Sequence, residues 1–322
     1  MSRVTVVTEG GTGIGLGHVM ESAHVMRALD RLGVEARCLG YGPRSVRAVP
    51  AGLGVGVAPL ATRLGPESAA ALGRRLRRAG ARVVFCNVMR LEETTVTRLR
   101  AAGLVVTAIV EGQAPVSLDH VFDVIARPEL MILSPRLARR RPARTATISL
   151  LLSMGGSDAR GLTPRLVRWL GGMTDPPELR VVVGTLFDHH EALSRAVDGY
   201  PVECLVDRAP PQDRLFGMMR ASRAAIAHGG DTLYELACLG VPSAVVCPTV
   251  RQLRVADRFA AAAAVLNLGV YRTLTRPRFQ RGIIRLLRDT RLRRCLRTAG
   301  PRLVDGRGGQ RVARTLAALA AA

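Results

Sequence analysis

Residues Ala224 to Cys247 read AAIAHGGDTLYELACLGVPSAVVC. The apolar run Ala224 to Ala227 has strand length, and the glycine pair Gly229-Gly230 marks a turn. Apolar residues at helical spacing follow, Leu239-Gly240-Val241-Pro242 carries a helix stop, and Ser243 to Cys247 is a second short apolar run. Two continuous apolar strands joined by a helix are the signature of a parallel sheet buried on both faces.

The same rhythm extends in both directions. Upstream, strands are predicted near Val4 to Thr8, Val34 to Leu39, Val83 to Asn87, Val105 to Val110 and Val124 to Ala126, with amphipathic stretches such as Val19 to Leu32 and Glu92 to Ala102 between them. Arg136 to Thr145 has no hydrophobic period and reads as a linker. The pattern restarts with Ile148 to Met154 and runs through Leu179 to Val183 and Val202 to Val206. Pro277 to Leu319 is mainly helical, with breaks expected at Pro301 and at Gly306 to Gly309. The reading is an α/β protein of two doubly wound, Rossmann-like domains, residues 1–140 and residues 146–322. The last helix is expected to return towards the first domain.

Composition narrows the function. The chain has 322 residues, 48% of them hydrophobic, enough for about two cores. It contains no apolar run of membrane-spanning length and no leader-like start, so a cytoplasmic protein is expected. Six scattered cysteines without a C-x-x-C pair read as reduced core thiols, and no metal site is expected. All 47 basic residues are arginine and the formal charge is +22. A solvated surface, a coding bias, an anionic substrate and peripheral contact with an anionic membrane at Arg74 to Arg78, Arg139 to Arg144 and Arg291 to Arg297 all account for that sign. With 3% aromatic content and no recognisable motif, nucleic acid is not the expected partner. Without lysine there is neither a Walker A loop nor a pyridoxal phosphate Schiff base, and no cofactor is expected.

Three glycine turns follow predicted strands and precede predicted helices, the position where doubly wound sheets bind ligands. The first runs from Glu9 through Gly10, Gly11, Gly13, Gly15 and Gly17 to His18. No register satisfies G-x-G-x-x-G and the second strand lacks a ribose-binding acid, which disfavours nicotinamide and flavin. His18 at a helix start is either a proton-transfer group or a packing and capping residue. The second turn, Gly155-Gly156-Ser157-Asp158, suits a phosphate or a sugar hydroxyl, or is an ordinary Ser/Asp turn. In the third, His228-Gly229-Gly230-Asp231-Thr232, the glycine pair offers backbone N–H groups and a helix dipole to a diphosphate. Glu235 either binds ligand or completes a capping box with Thr232.

Gly15-x-Gly17-His18-Val19-Met20, the Gly-Gly-Ser-Asp turn, and His-Gly-Gly-x-Thr-x-x-Glu followed by Leu-Gly-x-Pro and Gln252 resemble the UDP-sugar hydrolases of the pseudaminic acid pathway and their spore-coat polysaccharide relatives. The resemblance extends more distantly to the peptidoglycan N-acetylglucosaminyl transferase, and so implies the GT-B architecture. It implies that Gly229 and Gly230 meet the diphosphate, Glu235 the ribose and Gln252 the sugar of a UDP-sugar substrate, and that His18 is the general base, without a metal. Three departures stand out: Glu21 replaces a usual arginine, Asp231 replaces Ser or Ala, and Asn87-Val88-Met89 and Glu111-Gly112-Gln113 replace acidic and tyrosine-bearing motifs.

The first expectation is a hydrolase releasing UDP from a linked amino or deoxy sugar. An inverting transferase using the same pocket is the alternative, and a catalytically silent sugar-nucleotide-binding relative is the third reading.

Overall fold

A computed structural model describes residues 3–11, 16–138 and 147–322. The strands are β1 (Val4–Glu9), β2 (Ala36–Tyr41), β3 (Val57–Pro59), β4 (Val83–Asn87), β5 (Val105–Val110), β6 (His120–Asp123), β7 (Ile148–Ser153), β8 (Leu179–Val183), β9 (Cys204–Arg208), β10 (Ser222–Ala227), β11 (Ser243–Cys247) and β12 (Leu266–Val270). The helices are α1 (Gly17–Asp30), α2 (Arg44–Ala48), α3 (Pro66–Arg78), α4 (Glu93–Ala101), α5 (Leu162–Gly171), α6 (His190–Asp198), α7 (Gln212–Ala221), α8 (Asp231–Cys238), α9 (Val250–Ala261), α10 (Arg276–Arg288), α11 (Thr290–Leu303) and α12 (Gly308–Ala321).

They form two compact units, residues 1–135 with 306–322, and residues 136–305. The first has a six-stranded sheet in the order β3-β2-β1-β4-β5-β6, the second one in the order β12-β11-β10-β7-β8-β9. All the pairings are parallel. Numbered from its own first strand, each sheet has the Rossmann order 3-2-1-4-5-6. The order therefore reverses beside β1 and β4 in one unit and beside β7 and β10 in the other. At such a point the loops leaving adjacent strands diverge to opposite faces and open a crevice at the carboxyl ends.

Burial follows this topology. β1, β4 and β11 are buried at every residue, whereas the edge strand β3 is largely exposed. The first core packs Leu72 and Leu76 of α3 and Val96 and Leu99 of α4 against Val7, Val84 and Val106 of the sheet. The second gathers Leu150, Leu152, Val181, Ile226 and Val246 under Leu166, Leu170, Phe279 and Ile283. Four of the six free cysteines are buried, Cys204 is half-buried and Cys295 is exposed.

Several sequence expectations are corrected. The strand expected at Val124 to Ala126 lies earlier, at His120–Asp123, because Asp123 Oδ1 accepts the N–H groups of Ile125 and Ala126 and turns the chain. Pro301 does not break its helix but sits in the last turn of α11. The break falls at Asp289, whose side chain caps α11 by accepting from Leu292 N at 2.8 Å. The edge strands β3 and β12 carry no clear sequence signal. The linker expected at Arg136 to Thr145 lies outside the described residues from position 139 onward.

Candidate functional site

In the second unit the turns leaving β7 and β10 meet at the strand-order reversal, and His228 joins them. A Cβ on Gly155 would fall 2.5 Å from His228 Nε2, and one on Gly230 would fall 2.3 Å from its Cε1. The imidazole thus occupies space that only glycine leaves open on both sides. Gly155 also has φ +88°, a left-handed conformation that glycine adopts without strain. Gly229 is constrained in turn by α9, since its Cβ would lie 2.4 Å from Gln252 O.

Gln252 reaches the same imidazole. Its Nε2 lies 3.0 Å from His228 Nδ1. Thr249 caps α9 by accepting from Gln252 N at 3.2 Å. A Thr-x-x-Gln start would allow the glutamine to fold back on its own helix, but here the side chain turns to His228 instead. Gln252 Oε1 is buried and has no hydrogen-bond partner among the described residues. Burial pushes the His228 pKa down despite the charges of Asp231 and Asp158. With the amide donating, the neutral ring carries its proton on Nε2.

The two readings of Glu235 separate clearly. The N-cap of α8 is Gly230, with no side-chain cap, so Thr232 lies inside the first turn and the Thr232-Glu235 capping box is not formed. Burial, with the added charge of Asp231, pushes the half-buried Glu235 carboxyl up to about 8. Asp231 itself is exposed.

Asp158 follows the ordinary turn reading. Its Oδ1 accepts from Leu162 N at 2.9 Å and its Oδ2 from Thr163 N at 2.7 Å, so both oxygens cap α5. Gly156 and Ser157 are exposed beside it.

The first unit has its own crevice residues. Gly17 and His18 open α1, while Gly15 lies outside the described residues. Asn87, fully buried at the end of β4, donates through Nδ2 to His18 O at 3.1 Å, Glu21 Oε2 at 2.9 Å and Ser22 Oγ at 3.3 Å. Glu21 and Asn87, two departures from the motifs that the sequence resembles, are therefore partners in one interaction. Glu9 ends β1 with 1% of its side chain exposed. It takes a bidentate pair from Arg63, Nε to Oε2 at 2.6 Å and Nη2 to Oε1 at 2.8 Å, and a third bond from Met89 N at 2.7 Å. Burial raises its pKa, but these bonds and the charges of Arg63 and His18 prevail and lower it. Sequence reasoning assigned no role to Glu9, Arg63 or Asn87. The only local sign was an acid at a strand end before a glycine turn.

Among the described residues no group of His, Cys, Asp and Glu could hold a metal ion, and no helix is long and apolar enough to cross a membrane.

Two Rossmann-ordered units with glycine turns at their strand-order reversals make this a GT-B fold. Solved structures agree along the whole chain. MurG of Acinetobacter baumannii matches with a TM-score of 0.63 and 15% identity over 98% of this chain and 99% of that one. The spinosyn rhamnosyltransferase SpnG complexed with thymidine diphosphate matches with a TM-score of 0.63 and 19% identity over 98% and 100%. In sequence the chain is related to the spore coat polysaccharide biosynthesis protein SpsG of Bacillus subtilis (strain 168), at 29% identity over 193 residues, which are 58% of this chain. That match spans 55% of the relative, about half its length. No family model matches the chain.

Proposed function

We propose that the protein is a GT-B enzyme that transfers a sugar from a nucleoside diphosphate donor to an acceptor hydroxyl with inversion. The observation that carries this reading is the His228-Gly229-Gly230 turn. Gly230 supplies no side-chain acceptor to the start of α8, so backbone N–H groups and the helix dipole remain for a diphosphate. Glu235 is assigned to the ribose hydroxyls, and the unpartnered Gln252 Oε1 to a hydroxyl of the sugar. Gly156 and Ser157 complete the donor side. SpnG, solved in complex with thymidine diphosphate, supports a diphosphate ligand for this fold.

In the first unit His18 is assigned as general base. It takes the acceptor proton as the acceptor oxygen bonds to the anomeric carbon. The anomeric C–O bond breaks, its electron pair leaves with the nucleoside diphosphate, and the proton stays on the imidazole. Hydrolysis is the second reading, with water as the acceptor, supported by the Gly-x-Gly-His turn. The nucleotide is UDP in both readings. The exposed arginines of α10 and α11 support a further assignment, peripheral contact with an anionic membrane surface at the cytoplasmic face.

Incubation with UDP-, GDP-, CMP- and dTDP-sugars, with and without candidate acceptors, tests the reading. Acceptor-dependent nucleotide release is expected, and His18→Asn should slow it about 10²–10⁴-fold. Acceptor-independent release would replace transfer by hydrolysis, and binding without release would leave a silent relative. Undiminished turnover in His18→Asn would remove the base from the mechanism.

A further inference from the structure

Glu9 is a buried acid that the donor and acceptor assignments leave unused. It lies on β1, the strand from which the chain runs to His18, and both residues are tied to one short stretch at the end of β4. Asn87 Nδ2 donates to His18 O at 3.1 Å, and Met89 N, two residues on, donates to Glu9 Oε1 at 2.7 Å. Register places Thr8, the neighbour of Glu9, opposite Asn87. With Arg63 gripping both oxygens, the carboxylate can neither rotate nor withdraw.

We infer that Glu9 is a positioning residue for His18, a fixed negative charge that stabilises the imidazolium formed when His18 takes a proton. This deepens the proposed function and rests on its assignment of His18 as base. The physical case is one of shared anchoring and of sign. Opposite charges attract more strongly where water is excluded, and Glu9 is almost wholly buried. The charge of His18 is among those that hold the Glu9 carboxyl below its ordinary range, after the bonds from Arg63 and Met89. Arg63 partly neutralises Glu9, but its side chain is 48% exposed, so its charge is better screened. Asn87, a neutral amide, also holds Glu21, one turn further along α1 than His18.

The test follows the titration of the His18 imidazole by NMR in the full-length protein. Its resonance, among those of six histidines, is assigned by its loss in His18→Asn. Glu9→Gln keeps the shape and removes the charge, so the His18 midpoint should fall by about 0.5–1 pH unit. The ascending limb of the pH–rate profile should move with it while KM for the donor stays constant. Arg63→Gln leaves the carboxylate less neutralised, and the midpoint should rise. An unmoved midpoint in Glu9→Gln, or a fall in both variants, would overturn the inference. If Glu9→Gln does not fold, the double variant Glu9→Gln/Arg63→Gln, which removes both members of the ion pair, takes its place: a midpoint below that of Arg63→Gln supports the coupling, and an equal or higher one overturns it. The NMR midpoint needs no turnover, so failure of the coupling stays distinguishable from failure of His18 as base.

Discussion

Gln252 Nε2 and His228 Nδ1 lie 3.0 Å apart, joining the helix that follows β11 to the turn that follows β10. That contact determines which nitrogen of the imidazole carries a proton, and with Gly155 and Gly230 it leaves the ring one position. Three elements of the candidate donor site, the turns after β7 and β10 and the start of α9, therefore depend on one side chain.

Gly155→Ala should damage this arrangement although the added group is a single methyl. The left-handed backbone and a 2.5 Å approach to His228 Nε2 act together, with an expected loss of about 1–3 kcal/mol in the stability of the second unit. Gly156→Ala is the control. Nothing lies within 4 Å of its Cβ position, so its stability should stay within about 0.5 kcal/mol of wild type. Denaturant melts of both variants check this, and equal stability of the two would refute the packing argument.

Glu235 links pH to both stability and binding. Its pKa, raised to about 8 in the fold, lies above that of the unfolded chain. The folded state therefore holds the extra proton between roughly pH 4.5 and 8. The associated stability is complete below that window and is lost as pH rises through it. Glu235→Gln should thus gain on wild type as pH increases, with no advantage near pH 4. Ribose hydroxyls donate to the ionised carboxylate, so nucleotide binding should release a proton at pH 7, and Glu235→Ala should weaken binding by about 1.5–3 kcal/mol. Calorimetry in two buffers of different ionisation enthalpy reads the proton. Unchanged affinity in Glu235→Ala would return this residue to a structural role.

Arg276 to Arg302 contains ten arginines and one acid, Asp289, and nine of the arginines are exposed. Ile284, 40% exposed, lies among them on α10. Acidic vesicles should co-sediment the protein, neutral vesicles should not, and added salt should release it. Reversing Arg281 and Arg285 to glutamate should weaken the association without affecting turnover on a soluble acceptor. Indifference to vesicle charge would leave the arginines as a solvated surface.

The sequence by itself determined the elements whose cause is local. Apolar runs such as Val83 to Asn87 have no polar alternation, because parallel strands are buried on both faces, and they were legible without coordinates. So were the glycine turns, since a strand followed by Gly-Gly and a helical period has few other readings. The short edge strands β3 and β12 lacked that signal, being partly solvated and defined by their neighbours. Only the tertiary structure decided what the polar residues do. Glu9 and Arg63 are 54 positions apart, and Glu21 and Asn87 are 66 apart. Neither pairing has a sequence period to reveal it. Asp158 and Glu235 follow similar turns, yet one spends both oxygens on a helix cap and the other makes no capping box. Residues 306–322 join the first unit, where α12 packs on α1. An amphipathic period shows that a helix has an apolar face, but the surface that face covers depends on the whole fold.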